Sequence, residues 1–133
     1  MSKLDTVTAK DYMSTKLITF TPDTEVMTAI NELVKNRLSG APVVNSEGVI
    51  VGVLSEKDCL KVGVAASYEG VPAGLVKEYM APKVVTVDVD TSLLEVAGMF
   101  IGSAFKRYPV TAGGRLVGQI SRSDVLRAIN DLC

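Results

Sequence analysis

The feature that most constrains this chain is an internal repeat. Ala9-Lys10-Asp11-Tyr12-Met13 returns as Val76-Lys77-Glu78-Tyr79-Met80, an offset of 67. Leu17-Ile18-Thr19-Phe20 returns as Val84-Val85-Thr86-Val87, Asp23-Thr24 as Asp90-Thr91, and Pro42-Val43 as Pro109-Val110, all at 67. Gly52, Ser55 and Asp58 return as Gly118, Ser121 and Asp124 at 66. One residue is lost in the turn between, which is Asn45-Ser46-Glu47-Gly48 in the first copy and Ala112-Gly113-Gly114 in the second. An offset held through so many landmarks means that one supersecondary unit occurs twice.

The pattern inside each copy gives its elements. Leu17–Phe20 reads as a short strand. Thr21-Pro22-Asp23-Thr24-Glu25 opens a helix whose apolar positions Val26, Ala29, Ile30, Leu33 and Val34 recur at helical period. Ser39-Gly40 ends it, Ala41–Val44 and Val49–Leu54 form a hairpin, and a helix from Ser55 to about Ala65 closes the copy. The second helix of the second copy carries Leu93, Ala97, Phe100, Ile101 and Ala104 on one face, and a last helix runs from Ser121 to about Asp131. Each copy is therefore strand–helix–strand–strand–helix. The repeats are expected at 8–66 and 75–131, with 67–74 as a linker.

Composition excludes several functions. Histidine is absent, which removes the commonest general base and metal ligand. The two cysteines, Cys59 and Cys133, have no Cys-x-x-Cys spacing, and Cys59 reads as a small apolar helix residue. Net charge is −1 and no like-charge run occurs, so nothing points to nucleic acid. No phosphate-binding glycine loop, nucleophile elbow or metal cluster is present, and the chain is not expected to be an enzyme. The apolar runs are too short to cross a bilayer, so no membrane insertion and a cytoplasmic location are expected.

The strand ends Gly52-Val53-Leu54-Ser55-Glu56-Lys57-Asp58 and Gly118-Gln119-Ile120-Ser121-Arg122-Ser123-Asp124 carry the chemistry. Ser-x-x-Asp resembles a capping box, which needs no ligand. A helix N-terminus also favours phosphate, and an aspartate beside it accepts sugar hydroxyls. Capping and binding both remain open on the residues alone. Gly98 and Gly102 mark close packing, and Met27, Met99, Phe105, Tyr12 and Tyr79 read as packing residues.

The ordered set of Asp11-Tyr12-Met13, Arg37-Leu38-Ser39-Gly40-Ala41-Pro42-Val43 and Gly52–Asp58, with its second copy, resembles a tandem pair of cystathionine-β-synthase (CBS) domains, a Bateman module. The second copy reads Glu78-Tyr79-Met80, Lys106-Arg107-Tyr108-Pro109-Val110 and Gly118–Asp124. The resemblance implies an α+β fold, with two repeats packed sheet to sheet in pseudo-twofold symmetry. It implies no catalytic cofactor and no metal. It implies a stand-alone regulatory sensor of an adenine nucleotide (AMP, ADP or ATP) acting on a separate, unknown effector protein, and a homodimer. S-adenosylmethionine or NADH as ligand, or a docking module without ligand, are its alternatives.

Carried over by position, Asp58 and Asp124 accept ribose hydroxyls, and Ser55 and Ser121 meet phosphate or ribose. Leu17, Ile18, Val84 and Val85 line the adenine slot. Ser39 and Lys106 are equivalent, and Arg107 stands in the place of Gly40. With Arg122 against Glu56, the second copy is the expected phosphate site.

Overall fold

The structure is a computed structural model that describes residues 2–70 and 74–133. In chain order the helices are α1 (Ala9–Tyr12), α2 (Val26–Lys35), α3 (Glu56–Glu69), α4 (Leu93–Ile101) and α5 (Arg122–Leu132). The strands are β1 (Gly40–Val44), β2 (Ile50–Ser55), β3 (Val87–Asp88), β4 (Arg107–Ala112) and β5 (Arg115–Ser121). Short 3-10 turns lie at Lys3–Thr6 and Val76–Glu78. No helix among the described residues is long and apolar enough to cross a membrane.

The chain forms two compact units, and one of them is not contiguous in sequence. Unit 1 is Met1–Leu17 with Val85–Cys133; unit 2 is Ile18–Val84. The lead-in of each repeat therefore packs with the sheet and helices of the other repeat. Ala9 is buried in the unit 1 core with Val96, Phe100, Tyr108 and Ile120. Val76 is buried in the unit 2 core with Ala29, Leu33, Ala41 and Leu54. These sets match at the same offsets as the sequence motifs. At two of these positions unit 1 has the larger side chain, Phe100 and Tyr108 where unit 2 has Leu33 and Ala41.

One close approach fixes each lead-in. A Cβ on Gly118 would lie 2.6 Å from Met13 Sδ and 2.9 Å from the Ser14 carbonyl oxygen. A Cβ on Gly52 would lie 2.7 Å from Met80 Sδ and 2.9 Å from the Ala81 oxygen. Only glycine admits the neighbouring backbone at that distance. The lead-in then bridges the strand edge. Ser14 and Gln119 exchange backbone bonds at 2.8 and 2.9 Å, and Val53 and Ala81 do so at 2.9 Å each. The motifs Tyr-Met and Gly-x-x-Ser are thus two halves of one contact. Matching ion pairs, Lys10–Asp90 at 4.0 Å and Lys77–Asp23 at 3.2 Å, are exposed and add little stability.

The first strand of each repeat is shorter than the sequence suggests, for a reason visible in the prolines. In unit 2, Phe20 N–H donates to Pro42 O at 3.0 Å and Val44 N–H to Phe20 O at 2.8 Å. The parallel ladder needs an N–H from residue 42 to extend backward and from residue 22 to extend forward. Both are proline, so the expected strand Leu17–Phe20 shrinks to a single bridge, Phe20 to Val43. In unit 1 Pro109 blocks the backward step, but Val89 replaces Pro22 and donates to Thr111 O at 3.0 Å. Hence β3 forms there, and unit 1 holds a three-stranded sheet, β3-β4-β5, against β1-β2 in unit 2. Helix α3 outruns its expected end at Ala65 and takes in Ser67–Glu69; of the expected linker, residues 71–73 lie outside the described residues.

Replacing Gly118 or Gly52 by alanine is expected to lower stability by about 1–3 kcal/mol, since backbone must shift to admit the methyl group. Gly98, whose added Cβ meets nothing within 4 Å, should tolerate alanine with no loss. Urea denaturation of the three variants measures both.

Candidate functional site

The two strand ends place their serine and aspartate in the same way. Ser121 is the N-cap of α5. Its Oγ accepts from Asp124 N–H at 3.2 Å, while Asp124 Oδ2 accepts from Ser121 N–H at 2.8 Å and from Ser121 Oγ at 3.0 Å. In unit 2, Ser55 Oγ accepts from Asp58 N–H at 3.2 Å, and Asp58 Oδ2 accepts from Ser55 N–H at 3.0 Å and Oγ at 2.8 Å. Both are true capping boxes, with Asp doing at N3 what Glu does elsewhere. The box uses one carboxylate oxygen and leaves the other, Oδ1, outside it.

The helix ends are less open than an isolated N-terminus. Arg122 N–H donates to Lys106 O at 3.2 Å, and Glu56 N–H to Ser39 O at 2.9 Å. With the Asp124 and Asp58 amides held by the serines, the N–H groups of Ser123 and Lys57 are the remaining first-turn donors. These bonds also tie Lys106 and Ser39 to the helix start. The sequence placed those residues together on family grounds; the geometry supplies the link.

The basic residues of unit 1 differ in their state. The loop before β4 is anchored by Tyr108, whose buried ring contacts Phe100 and Phe105. Its hydroxyl pairs with Ser103 Oγ at 2.7 Å and donates to Met99 O at 3.1 Å. Arg122 Nη2 donates to Ser103 O at 3.1 Å, just past the C-terminus of α4, which suits a cation. Lys106 is exposed. Arg107, opposite Ser121 across the β4–β5 ladder, buries its Nε with no hydrogen-bond partner among the described residues. An unpaired buried donor costs about 1–3 kcal/mol and marks a place where an acceptor is missing. Unit 2 has Gly40 there, and a Cβ on Gly40 would come within 2.9 Å of Leu54 O. The bare backbone at Gly40 is thus sterically required, and the asymmetry between the units is built into the strands.

Leu17, Ile18, Val84 and Val85 sit at the two crossings between units, with Leu17 and Val85 in unit 1 and Ile18 and Val84 in unit 2. Ile18 packs on the unit 2 core, and Val85 is half exposed. Sequence reasoning passed over one residue. Arg127 pairs with Asp124 Oδ1 at 3.0 Å, three residues along α5. The signal was there: the matching residue is Lys61.

Cys59 adjoins Asp58 and packs half-buried on the unit 2 core, where the matching residue is Val125. Burial, then the charges of Asp58 and Glu56, push its thiol above the ordinary value. No cluster of metal-ligating residues occurs among the described residues.

The family model described as CBS domain matches residues 9–65 and 76–131. Among solved structures, CBSX2 of Arabidopsis thaliana in complex with AMP superposes with a TM-score of 0.80 at 29% identity, covering 94% of this chain and 97% of that one. The CBS domain pair of MJ0100, in complex with methylthioadenosine and S-adenosylmethionine, gives 0.73 at 25% identity, covering 94% and 97%. The cytosolic domain of the Mg2+ channel MgtE, in complex with ATP, gives 0.76 at 29% identity, covering 91% and 48%. Curated relatives include the uncharacterized protein MJ1225 of Methanocaldococcus jannaschii, 25% identical over 90% of this chain. This chain spans 42% of that relative's length.

Iodoacetamide at pH 8 is expected to alkylate exposed Cys133 well before Cys59, by peptide mass spectrometry. Cys59 should catch up only as pH rises past its raised value. The raised value favours the folded thiol below about pH 8.5, and that advantage fades as pH climbs through it. Equal rates at pH 8 would contradict the assigned burial.

Proposed function

This chain belongs to the CBS domain family, as two repeats in tandem, and on that premise we propose that it is a regulatory module for an adenosyl ligand. The ligand class is an adenine nucleotide of the AMP, ADP or ATP type. The module acts on a separate partner protein and performs no chemistry of its own. The observation that carries this reading is the pair of capping aspartates. Each is locked at a strand–helix junction with Oδ1 left outside the capping box. A carboxylate oxygen held in a fixed place suits a sugar hydroxyl.

The relatives support the ligand class through what their ligands share. AMP, ATP, methylthioadenosine and S-adenosylmethionine all contain adenosine. Arg107 supports a phosphate at the unit 1 site, since its buried Nε lacks the acceptor that a phosphate oxygen supplies. Lys106 adds an exposed charge beside it. Leu17 and Val85 in unit 1, and Ile18 and Val84 in unit 2, supply the apolar positions assigned to adenine. Regulation then requires that the ligand favour one of two states of the module or its complex.

The test is thermal melting with AMP, ATP and S-adenosylmethionine. A ligand at 100 times its dissociation constant should stabilise the chain by about 2.7 kcal/mol. Arg107→Met should weaken a phosphate-bearing ligand by about tenfold or more, as expected for a lost charge-assisted bond. No shift with any of the three at millimolar concentration would leave only the docking reading.

A homodimer is the second element of the proposal, and exposed apolar side chains support it. Leu60, Val64 and Tyr68 recur at helical spacing along α3 and are 69%, 61% and 88% exposed. Leu126 and Ile129 on α5 and Ile101 on α4 are exposed as well. Native mass spectrometry should show a dimer that Leu60→Glu with Val64→Glu converts to monomer. A wild-type monomer at micromolar concentration would refute it.

A further inference from the structure

Asp124 belongs to a chain of contacts whose first link, an ion pair on its Oδ1, has no counterpart at Asp58 among the described residues. Its Oδ1 accepts from Arg127 Nη1 at 3.0 Å. Arg127 Nη2 donates to the backbone carbonyl of Tyr12 at 3.0 Å, and the guanidinium carbon lies 5.3 Å from the Tyr12 ring centroid. The Tyr12 hydroxyl donates to Asp131 Oδ2 at 3.1 Å. Arg127 is 53% exposed, but Asp124 is only 15% exposed. A planar guanidinium fixed by two directional bonds and a ring face keeps little rotamer freedom, unlike an ordinary surface pair. At the matching positions unit 2 has Lys61 and Ala65. Lys61 forms no ion pair among the described residues.

Acceptor capacity turns this difference into specificity. A carboxylate offers about four lone-pair positions. The capping box fills two on each aspartate, both on Oδ2. Asp58 keeps both positions of Oδ1 among the described residues. Asp124 has given one of them to Arg127. A vicinal diol donates two O–H bonds, so it finds two open positions at Asp58 and a single one at Asp124. A phosphate donates nothing and seeks cations, and those stand in unit 1, at Lys106 and Arg107.

We infer that Arg127 is a specificity-determining residue of the unit 1 site: by occupying Asp124 Oδ1 it weakens reading of the ribose diol there, so that the unit 2 site, at Asp58, discriminates on the diol and the unit 1 site discriminates on phosphate. The inference rests on the adenosyl-ligand reading proposed above. It assigns the twin motifs unequal work within that reading. Tyr12 and Asp131 serve it indirectly, because they hold the guanidinium from behind.

Calorimetric titration of the full chain with AMP and with 2′-deoxy-AMP separates the two claims. In Asp124→Ala, where the Asp58 carboxylate remains, 2′-deoxy-AMP should bind about tenfold or more weaker than AMP, as for one lost bond to a charged acceptor. In Asp58→Ala the two ligands should bind within about threefold. Adding Arg127→Met, or the milder Arg127→Lys that copies Lys61, should raise discrimination in that background to about tenfold. A merely structural role for Arg127 would change both affinities together and leave their ratio alone. Equal discrimination in the two backgrounds, or a ratio unmoved by both Arg127 variants, would overturn this inference and leave nucleotide binding standing. Failure of the wild-type chain to bind AMP at all would refute the adenosyl reading and this inference with it.

Discussion

The structure depends on the seat of each lead-in against a glycine at the strand end. Gly118 receives Met13 and Ser14, and Gly52 receives Met80 and Ala81. This contact sets the last residues of β5 and β2 just before their capping serines, so the candidate sites inherit their position from it. It also makes unit 1 discontinuous in sequence. Met13 and Gly118 lie about 100 residues apart, whereas Gly52 and Met80 lie about 30 apart. Closing the longer loop costs more chain entropy, though only logarithmically. Unit 2 assembles from one continuous segment, and unit 1 requires both ends of the chain.

The sequence made the repeat, its offsets and the strand–helix order legible because each rests on local chemistry. Apolar period, turn residues and Ser-x-x-Asp are all read within a few positions. It did not make the exchange of lead-ins legible, because a buried Ala9 or Val76 looks the same in either core. The first strands are shorter than their composition predicts for a related reason. Leu17–Phe20 is a good strand by composition, but the ladder fails at its partner's missing N–H groups, Pro42 across the sheet and Pro22 ahead. Val89 in place of Pro22 restores one bond and, with it, a strand.

The candidate site was legible in its carboxylates, but not in which of their oxygens the protein itself already uses. Asp58 and Asp124 were named from position alone. That Lys106 O and Ser39 O close one first-turn N–H each could not be read without the register of β4 on β5 and β1 on β2. The same holds for Arg107, which looks like a solvated strand charge until its Nε proves buried. Differences between the copies mattered more than likenesses. Gly40 against Arg107 and Lys61 against Arg127 share backbone positions and differ in what they offer a ligand.

Capping and binding call on the same two residues, yet a carboxylate has acceptor positions enough for both. The capping box needs the serine and one carboxylate oxygen. It thereby fixes the aspartate's rotamer, so the other oxygen is held in place before any ligand arrives. An aspartate free of its cap would have to be ordered by the ligand, at a cost in affinity. On the proposed function, the serine thus contributes to the candidate site even where it touches no ligand. The helix N-terminus, with most of its amides already paired, contributes less than a bare one would. The cap is thus the device that makes a partly buried carboxylate rigid, and on the proposed function the residues around its second oxygen decide what that carboxylate would read.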